Sequence, residues 1–206
     1  MSYQFTNNWF QSVAEHNWRQ LIPKIKPKKI LEIGSFEGAS TCFLIEQNDW
    51  TTDLKIVCVD TWAGGEEHEA RNIDMTEVEN RFNHNINLAI QKAGQPTVKV
   101  QKRKGPSDLE LPKLVAEGLT DTFDLIYIDG SHQAPDVLLD AVLSFKLCRP
   151  GGFIFFDDYL WSFQSTSGID PIKSPKLAID CFTNVFCRNL NIVRAPLYQL
   201  YTQKIK

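Results

Sequence analysis

Residues 28–38 read Lys28-Lys29-Ile30-Leu31-Glu32-Ile33-Gly34-Ser35-Phe36-Glu37-Gly38. The stretch 29–33 is typical of a buried strand, and Gly34 is expected to end it. A helix is predicted behind it, from Ala39 to Gln47. Glycines let a backbone turn tightly and approach a ligand closely, and the first turn of a helix presents free N–H groups. The segment therefore predicts a ligand-binding loop between a strand and a helix.

The alternation of strand and helix continues along the rest of the chain. Further strands are predicted at 54–59, 98–104, 123–128 and 153–156, with helices at 76–93, 109–117, 135–147 and 175–190. Two more strands, at 191–193 and 197–203, close the chain. Continuous apolar strands that alternate with helices indicate a parallel sheet covered on both faces. We predict an α/β fold with a doubly wound, Rossmann-like sheet of seven strands, mostly parallel, with a C-terminal antiparallel pair.

A helix is also predicted before the sheet, because apolar residues from Asn8 to Ile25 have helical spacing. Pro23 and Pro27 are expected to break it. We expect one domain over residues 1–206, with the N-terminal helix in 1–27 and the Rossmann-like core in 28–206, since 206 residues suffice for one such domain and are few for two.

Composition narrows the class of protein. Hydrophobic residues make up 43% of the chain and charged residues 23%, and the net charge is −3, so no strong positive field favours nucleic acid as a partner. The first ten residues do not resemble a signal peptide, and no run approaches the ~20 apolar residues of a membrane span. Five cysteines without a CxxC motif indicate buried free thiols. We expect a cytoplasmic protein with no membrane partner; a homo-oligomer is left open.

The residues that follow the predicted strands are the first candidates for a binding site. Ligands of parallel sheets bind outside the carboxyl ends of the strands. We therefore expect one edge of the sheet to gather five residues, namely Gly34, Asp60, Gly105, Asp129 and Asp157.

The first loop has the spacing G-x-x-x-G and lacks the G-x-G-x-x-G of a dinucleotide site. Glu32 before it suits an ammonium group better than a pyrophosphate. Asp60 is placed to accept the hydroxyls of a ribose, although an ordinary loop carboxylate is the alternative. The turn Gly105-Pro106-Ser107-Asp108 is placed to hold an adenine edge, or it is simply a turn and a helix cap.

An acidic cluster is predicted from Asp129-Gly130-Ser131-His132 together with Asp157-Asp158. Three converging carboxylates repel one another unless a cation lies between them, and carboxylate oxygens suit a hard divalent ion such as Mg²⁺. The alternatives are that Asp157 caps a turn, that Asp158 is solvated, and that His132 is a hydrogen-bonded loop histidine.

These segments, in this order, resemble the class I S-adenosylmethionine-dependent methyltransferases of the family often labelled methyltransferase domain 24. The resemblance runs from about Ile30 to Phe182 and extends to the macrocin-type sugar O-methyltransferases and, more distantly, to the catechol-type metal-dependent enzymes. It rests on the stretches 31–38, 59–62, 124–132, 150–152 and 157–159.

The resemblance implies a role for each matching residue. Cofactor contacts are expected from Glu32, Gly34, Ser35, Gly38, Ser40, Asp60, Thr61, Trp62, Gly105, Ser107 and Asp129. The implied metal ligands are Asp129, Asp157 and Asp158, and the implied general base is His132. Asp158 in place of asparagine and His132 in place of lysine depart from the catechol-type pattern and favour the sugar-modifying branch.

We therefore expect methyl transfer from S-adenosylmethionine to a hydroxyl of a small molecule, with a sugar or glycoside as the first candidate. The divalent ion would lower the pKa of that hydroxyl, and His132 would take its proton. A catechol or phenol acceptor is the main alternative. A nicotinamide-dependent oxidoreductase and a non-catalytic cofactor-binding protein are weaker alternatives.

Two aromatic residues, Tyr159 and Trp161, are expected either to form a wall of the acceptor site or to pack in the core. The polar stretch 61–75 is expected to help close the site through Trp62, Gly64, Gly65 and His68.

Overall fold

A computed structural model describes residues 2–48, 53–65, 73–94, 98–165 and 168–206. Helices α1 (Trp9–Val13) and α2 (Glu15–Ile25) precede the first strand. The alternating part comprises β1 (Lys29–Ile33), α3 (Ala39–Glu46), β2 (Leu54–Asp60), α4 (Met75–Ala93), β3 (Val98–Lys104), α5 (Ser107–Ala116), β4 (Phe123–Ile128), α6 (Ala134–Leu147) and β5 (Cys148–Phe156). It is followed by β6 (Phe163–Ser165), β7 (Gly168–Asp170), α7 (Pro175–Val185), β8 (Leu190–Ile192) and β9 (Leu200–Lys204).

Seven strands form one sheet in the order β3-β2-β1-β4-β5-β9-β8. Strands β1 to β5 pair in parallel, and β9 runs antiparallel to both β5 and β8. The predicted doubly wound sheet with a C-terminal antiparallel pair is therefore confirmed. Because the strand order reverses between β1 and β4, a crevice opens at their carboxyl ends, where such folds bind ligands.

Pairing register brings the predicted edge residues to one level. Ile33 at the end of β1 pairs with Val59 of β2 and with Ile128 of β4. Ile128 in turn pairs with Phe156 at the end of β5. The residues that come next in each strand therefore share one edge of the sheet, as predicted: Gly34, Asp60, Asp129 and Asp157.

The core lies on both faces of the sheet, because successive strand residues point to opposite sides. On β1, Ile30 belongs to the cluster under α2, α3 and α4, where Trp18 is fully buried. Leu31 and Ile33 belong to the opposite cluster, under α5, α6 and α7, which includes Phe182. The predicted helices on both faces are confirmed.

Three local predictions are corrected. The N-terminal helix is divided at Ala14, and its second part continues through Pro23 to Ile25, because that proline removes a single hydrogen bond close to the helix end. A hairpin of β6 and β7 lies where no strands were predicted. All five cysteines are free, but Cys181 and Cys187 are exposed, so the prediction of burial fails for these two. Within the described ranges, no helix combines the length and apolar character needed to cross a lipid bilayer.

Candidate functional site

A cavity of about 850 Å³ lies along the carboxyl edge of the sheet. The loops that follow β1 to β5 line it, together with the N-terminal segment and Tyr198. Of the predicted cofactor contacts, the structure brings eight to its wall: Gly34, Ser35, Ser40, Asp60, Thr61, Gly105, Ser107 and Asp129. The other predicted site residues at this wall are Asp157, Asp158 and His132.

The loop after β1 packs directly on the loop after β4. Gly34 has a φ of +82°, and a Cβ atom built on it would lie 1.9 Å from the carbonyl oxygen of Asp129. The backbone N–H of Asp129 donates to the carbonyl oxygen of Ile33 at 2.8 Å. Both the left-handed backbone and the close approach require glycine at this position.

Asp60, at the end of β2, holds the first loop in shape. Its Oδ2 accepts the backbone N–H groups of Ser35 at 2.7 Å and Phe36 at 2.9 Å, and its Oδ1 accepts that of Trp62 at 2.6 Å. The carboxylate also lines the cavity. Asp60 therefore organises the loop, and its contact with a ribose stays a prediction.

The predicted direct contact of Glu32 with an ammonium group is corrected. Glu32 has no exposed surface and lies outside the cavity wall that the described residues form. Its carboxylate accepts the hydroxyls of Ser35, Ser40 and Thr41 at 2.6, 2.5 and 2.5 Å. Burial raises its pKa, and these hydroxyls lower it. Glu32 therefore holds the hydroxyls of Ser35 and Ser40 from beneath the loop, and these two serines line the cavity.

Gly38 and Trp62, two further predicted cofactor contacts, lie outside the cavity wall that the described residues form, and their contact with the cofactor stays a prediction. Gly38 has a φ of +80°, and a Cβ atom there would lie 3.0 Å from the ring of Phe82. Trp62 is buried, with its ring centroid 4.9 Å from that of Phe82 and its Nε1 donating to the carbonyl oxygen of Phe36 at 3.0 Å. Both residues pack the loops from behind. His68 lies outside the described residues.

The turn after β3 forms a further part of the cavity wall. The backbone N–H of Gly105 donates to the carbonyl oxygen of Asp60 at 2.9 Å, and Ser107 begins α5. Behind Ser107 lies Asp140 of α6, which is 1% exposed. Burial raises the pKa of Asp140 to about 7, an interaction with the Ser107 hydroxyl lowers it, and the charges of Asp136 and Asp108 raise it.

Three carboxylates converge at the wall of the cavity. Asp129, Asp157 and Asp158 each offer an oxygen, and these oxygens lie within 4.8 Å of one another. Burial raises the pKa of Asp129 well above its usual value, and the charges of Asp157 and Asp158 raise it further. Burial and the charge of Asp158 raise the pKa of Asp157. A divalent cation would relieve this repulsion, and an all-oxygen set suits a hard ion, so the residues fit the predicted metal.

His132 lies beside this cluster. Its Nε2 is 2.9 Å from Oδ2 of Asp158, and its ring centroid is 4.3 Å from that of Trp161. Trp161 lines the cavity, with its backbone N–H bound to the carbonyl oxygen of Asp158 at 2.9 Å. Tyr159 instead donates its hydroxyl to Asp180 on α7 at 2.8 Å. Of the two aromatic residues left open by the sequence, Trp161 is the one at the site.

The N-terminal segment forms a wall that the sequence did not predict. Phe5 and Trp9 line the cavity. Both the backbone N–H and the hydroxyl of Thr6 donate to the carboxylate of Glu37, at 2.7 and 2.8 Å, and Arg81 of α4 binds the same carboxylate at 2.6 Å. No motif at residues 5–9 indicates this role, since it depends on contacts with Glu37, about thirty residues away in sequence.

Comparison with known proteins agrees with this geometry. A family model described as a methyltransferase domain matches residues 31–159. A protein of Dictyostelium discoideum named probable caffeoyl-CoA O-methyltransferase 3 is 29% identical over 171 residues, which cover 76% of this chain and 57% of that protein. The chain thus spans little more than half the length of this curated relative.

Solved structures show the same fold. The O-methyltransferase from Bacillus cereus, in complex with SAH, matches 100% of this chain and 84% of its own, with a TM-score of 0.64 and 17% identity. CalS11, described as a TDP-rhamnose 3′-O-methyltransferase of calicheamicin biosynthesis, matches 95% and 84%, with a TM-score of 0.58 and 12% identity. The family match covers more than half of the chain and includes the loops after β1, β2, β4 and β5. This chain belongs to the methyltransferase domain family.

Proposed function

We propose that the protein is an S-adenosylmethionine-dependent O-methyltransferase that acts on a hydroxyl of a small molecule. The observation that carries this proposal is the continuity of one cavity. It runs from the loop of Gly34 and Asp60 to the carboxylates of Asp129 and Asp157, with His132 beside them. One such cavity would hold the methyl donor and the acceptor hydroxyl side by side. Methyl transfer depends mainly on this mutual orientation.

Each part of the cofactor has matching residues along the wall. Asp60 and Thr61 would hold the ribose, while Gly105 and Ser107 would flank the adenine. Ser35 and Ser40, held by Glu32 beneath them, would face the methionine end. All of these residues lie within the segment that the family model matches, which supports this arrangement. The turn after β3 further supports the assignment of Gly105 and Ser107.

Asp129, Asp157 and Asp158 would hold a divalent cation. When bound, such a cation supplies a Lewis acid that lowers the pKa of the acceptor hydroxyl. His132 would take the proton of that hydroxyl as general base. Oδ2 of Asp158, at 2.9 Å, would then accept a hydrogen bond from the protonated ring and stabilise its charge. Trp161 packs against His132, with 4.3 Å between their ring centroids and 34° between their ring planes.

Two observations bear on the chemical class of the methyl acceptor. The name of the Dictyostelium relative supports a phenolic acceptor. His132 and Asp158 are the two residues for which the sequence favoured a sugar hydroxyl, and the structure brings them into contact. A sugar hydroxyl is far less acidic than a phenol and depends more on a positioned base.

The test is methyl transfer from labelled S-adenosylmethionine to a panel of catechols, caffeoyl esters and glycosides, with EDTA or with added Mg²⁺ or Mn²⁺. We expect a methylated product and S-adenosylhomocysteine only when metal is present. Asp157→Asn should abolish the product, whereas Asp180→Asn, on α7 and bound to Tyr159, should retain it. Full turnover in EDTA would refute the metal assignment, and turnover of catechols with inert glycosides would refute the sugar acceptor.

A further inference from the structure

A buried polar network lies behind the carboxylate cluster, on the side away from the cavity. Its first member is Tyr127 of β4, which is 1% exposed. The hydroxyl oxygen of Tyr127 is 2.7 Å from Oδ2 of Asp157 and 3.0 Å from Oδ2 of Asp129. One phenol therefore contacts two of the three carboxylates that would hold the cation.

Gln199, just before β9, is the second member and is also 1% exposed. Its Nε2 donates to Oδ1 of Asp157 at 2.7 Å. Its Oε1 accepts the indole N–H of Trp18 at 3.0 Å and the hydroxyl of Tyr201. These two donors fix the orientation of the amide, because the opposite orientation would place its oxygen against the Asp157 carboxylate and its NH₂ against two donors.

Asp157 is thus held through both of its oxygens, by Gln199 at Oδ1 and by Tyr127 at Oδ2. A carboxylate oxygen has two lone pairs, so these hydrogen bonds leave acceptor capacity on each oxygen. The donors also oppose the mutual repulsion that would otherwise turn the three carboxylates apart. Groups that orient metal ligands in this way commonly control metal affinity.

We propose that Gln199 and Tyr127 are positioning residues that orient Asp157 for a divalent cation, and that Trp18 of α2 sets the orientation of Gln199. This inference rests on the proposed function, because it requires a cation at the carboxylate cluster. It assigns a role in the site to the N-terminal helix α2 and to Gln199, just before β9, which both lie outside the segment matched by the family.

The test uses Mn²⁺ alone as the probe, with its dissociation constant measured from the electron paramagnetic resonance signal of free Mn²⁺. Gln199→Met keeps the length of the side chain and removes the amide, and it should weaken Mn²⁺ binding roughly 10–100-fold. Tyr127→Phe keeps the ring and removes the hydroxyl, so it should preserve packing and also weaken binding. Trp18→Phe removes the indole N–H and should weaken binding less than Gln199→Met does.

Gln203→Met is the matched control. Gln203 lies four residues after Gln199, within β9, and its amide donates to the carbonyl oxygen of Gly151 at 3.2 Å. This variant therefore loses one hydrogen bond without touching Asp157. Its Mn²⁺ affinity should equal that of the wild type. The thermal midpoint without metal is recorded for every variant, because a role confined to packing would lower that midpoint and leave Mn²⁺ affinity unchanged.

The two proposals fail in different ways. If Asp157→Asn loses Mn²⁺ while Gln199→Met and Tyr127→Phe bind it like the wild type, the positioning inference is overturned and the proposed function stands. If the wild type does not bind Mn²⁺, or Asp157→Asn binds it equally well, the metal assignment falls and the inference falls with it.

Discussion

The backbone of Gly34 touches that of Asp129, since a Cβ atom on Gly34 would lie 1.9 Å from the Asp129 carbonyl oxygen. The two residues belong to different halves of the site, because Gly34 begins the predicted cofactor loop and Asp129 begins the acidic cluster. A change of shape in one loop must therefore move the other.

Gly34→Ala should impair both folding and ligand binding. The positive φ alone costs ~1–2 kcal/mol for a residue with a Cβ atom, and the clash with backbone adds to it. Gly118→Ala is the control, because Gly118 has a φ of +80° and nothing within 4 Å of its added Cβ atom. Urea unfolding should show a clearly larger loss for Gly34→Ala, and its S-adenosylhomocysteine affinity should fall while that of Gly118→Ala is retained. Equal losses in the two variants would show that the contact is unimportant.

Asp60→Ala should weaken S-adenosylhomocysteine binding by ~1–3 kcal/mol, because the proposed charged partner of the ribose, which also accepts three backbone N–H groups, is lost. Asp124→Ala is a matched control. Asp124 likewise accepts backbone N–H groups, those of Lys28 and Lys29, both at 2.8 Å, but it lies at the amino end of β4, away from the carboxyl edge of the sheet. Calorimetry should find reduced affinity in the first variant and normal affinity in the second. Normal affinity in Asp60→Ala would remove Asp60 from the cofactor site.

The strands β1, β2, β4 and β5 were predictable from sequence because they are mostly apolar runs that are closed by glycine or aspartate. The ends of those runs located Gly34, Asp60, Asp129 and Asp157 at one edge, and the register of the strands confirms it. The prediction succeeds because the carboxyl ends of parallel strands lie at the same edge of the sheet, independently of the lengths and positions of the helices between them.

The direction in which a side chain in or beside a loop points was less predictable. Glu32 and Trp62 lie next to cavity residues in sequence, yet both are buried away from the cavity, because a left-handed backbone at Trp62 and three hydroxyls around Glu32 turn them inward. Gln199 had no sequence signal, since its partner Asp157 is 42 residues away. Contacts of that kind depend on tertiary packing, which a local pattern does not record.

His132→Ala should reduce turnover roughly 10²–10⁴-fold on the best acceptor, which is the usual contribution of a positioned general base. S-adenosylhomocysteine affinity should barely change, because the cofactor wall of Ser35, Asp60 and Ser107 is intact. His84→Ala, on α4 with Nε2 placed 3.1 Å from the carbonyl oxygen of Ser2, should keep normal turnover. Single-turnover rates of the two variants separate the chemical step from binding. A near-normal rate for His132→Ala would make the histidine structural.

Asp140 should make stability fall as the pH rises. Its folded pKa of about 7, raised mainly by burial, lies above the ~4 of an unfolded aspartate. Between these two pKa values the folded state keeps a proton on Asp140 that the unfolded state has released. The stabilisation from this proton is therefore complete below pH ~4 and is lost as the pH rises through ~7, which lowers the free energy of unfolding by up to roughly 4 kcal/mol. Asp140→Asn removes this titration. Urea unfolding at several pH values should give a flatter profile for the variant, and parallel profiles would contradict the assignment.

The most direct test of the central claim is isothermal titration calorimetry of the wild-type protein with S-adenosylhomocysteine and, separately, with NAD. The cavity has a G-x-x-x-G loop at Gly34, the carboxylate of Asp60 and no third loop glycine, which favours the methyl-donor cofactor over a dinucleotide. We predict binding of one S-adenosylhomocysteine per chain and no heat of binding with NAD. Binding of NAD with comparable affinity, or no binding of S-adenosylhomocysteine, would contradict the assignment of this cavity to a methyltransferase.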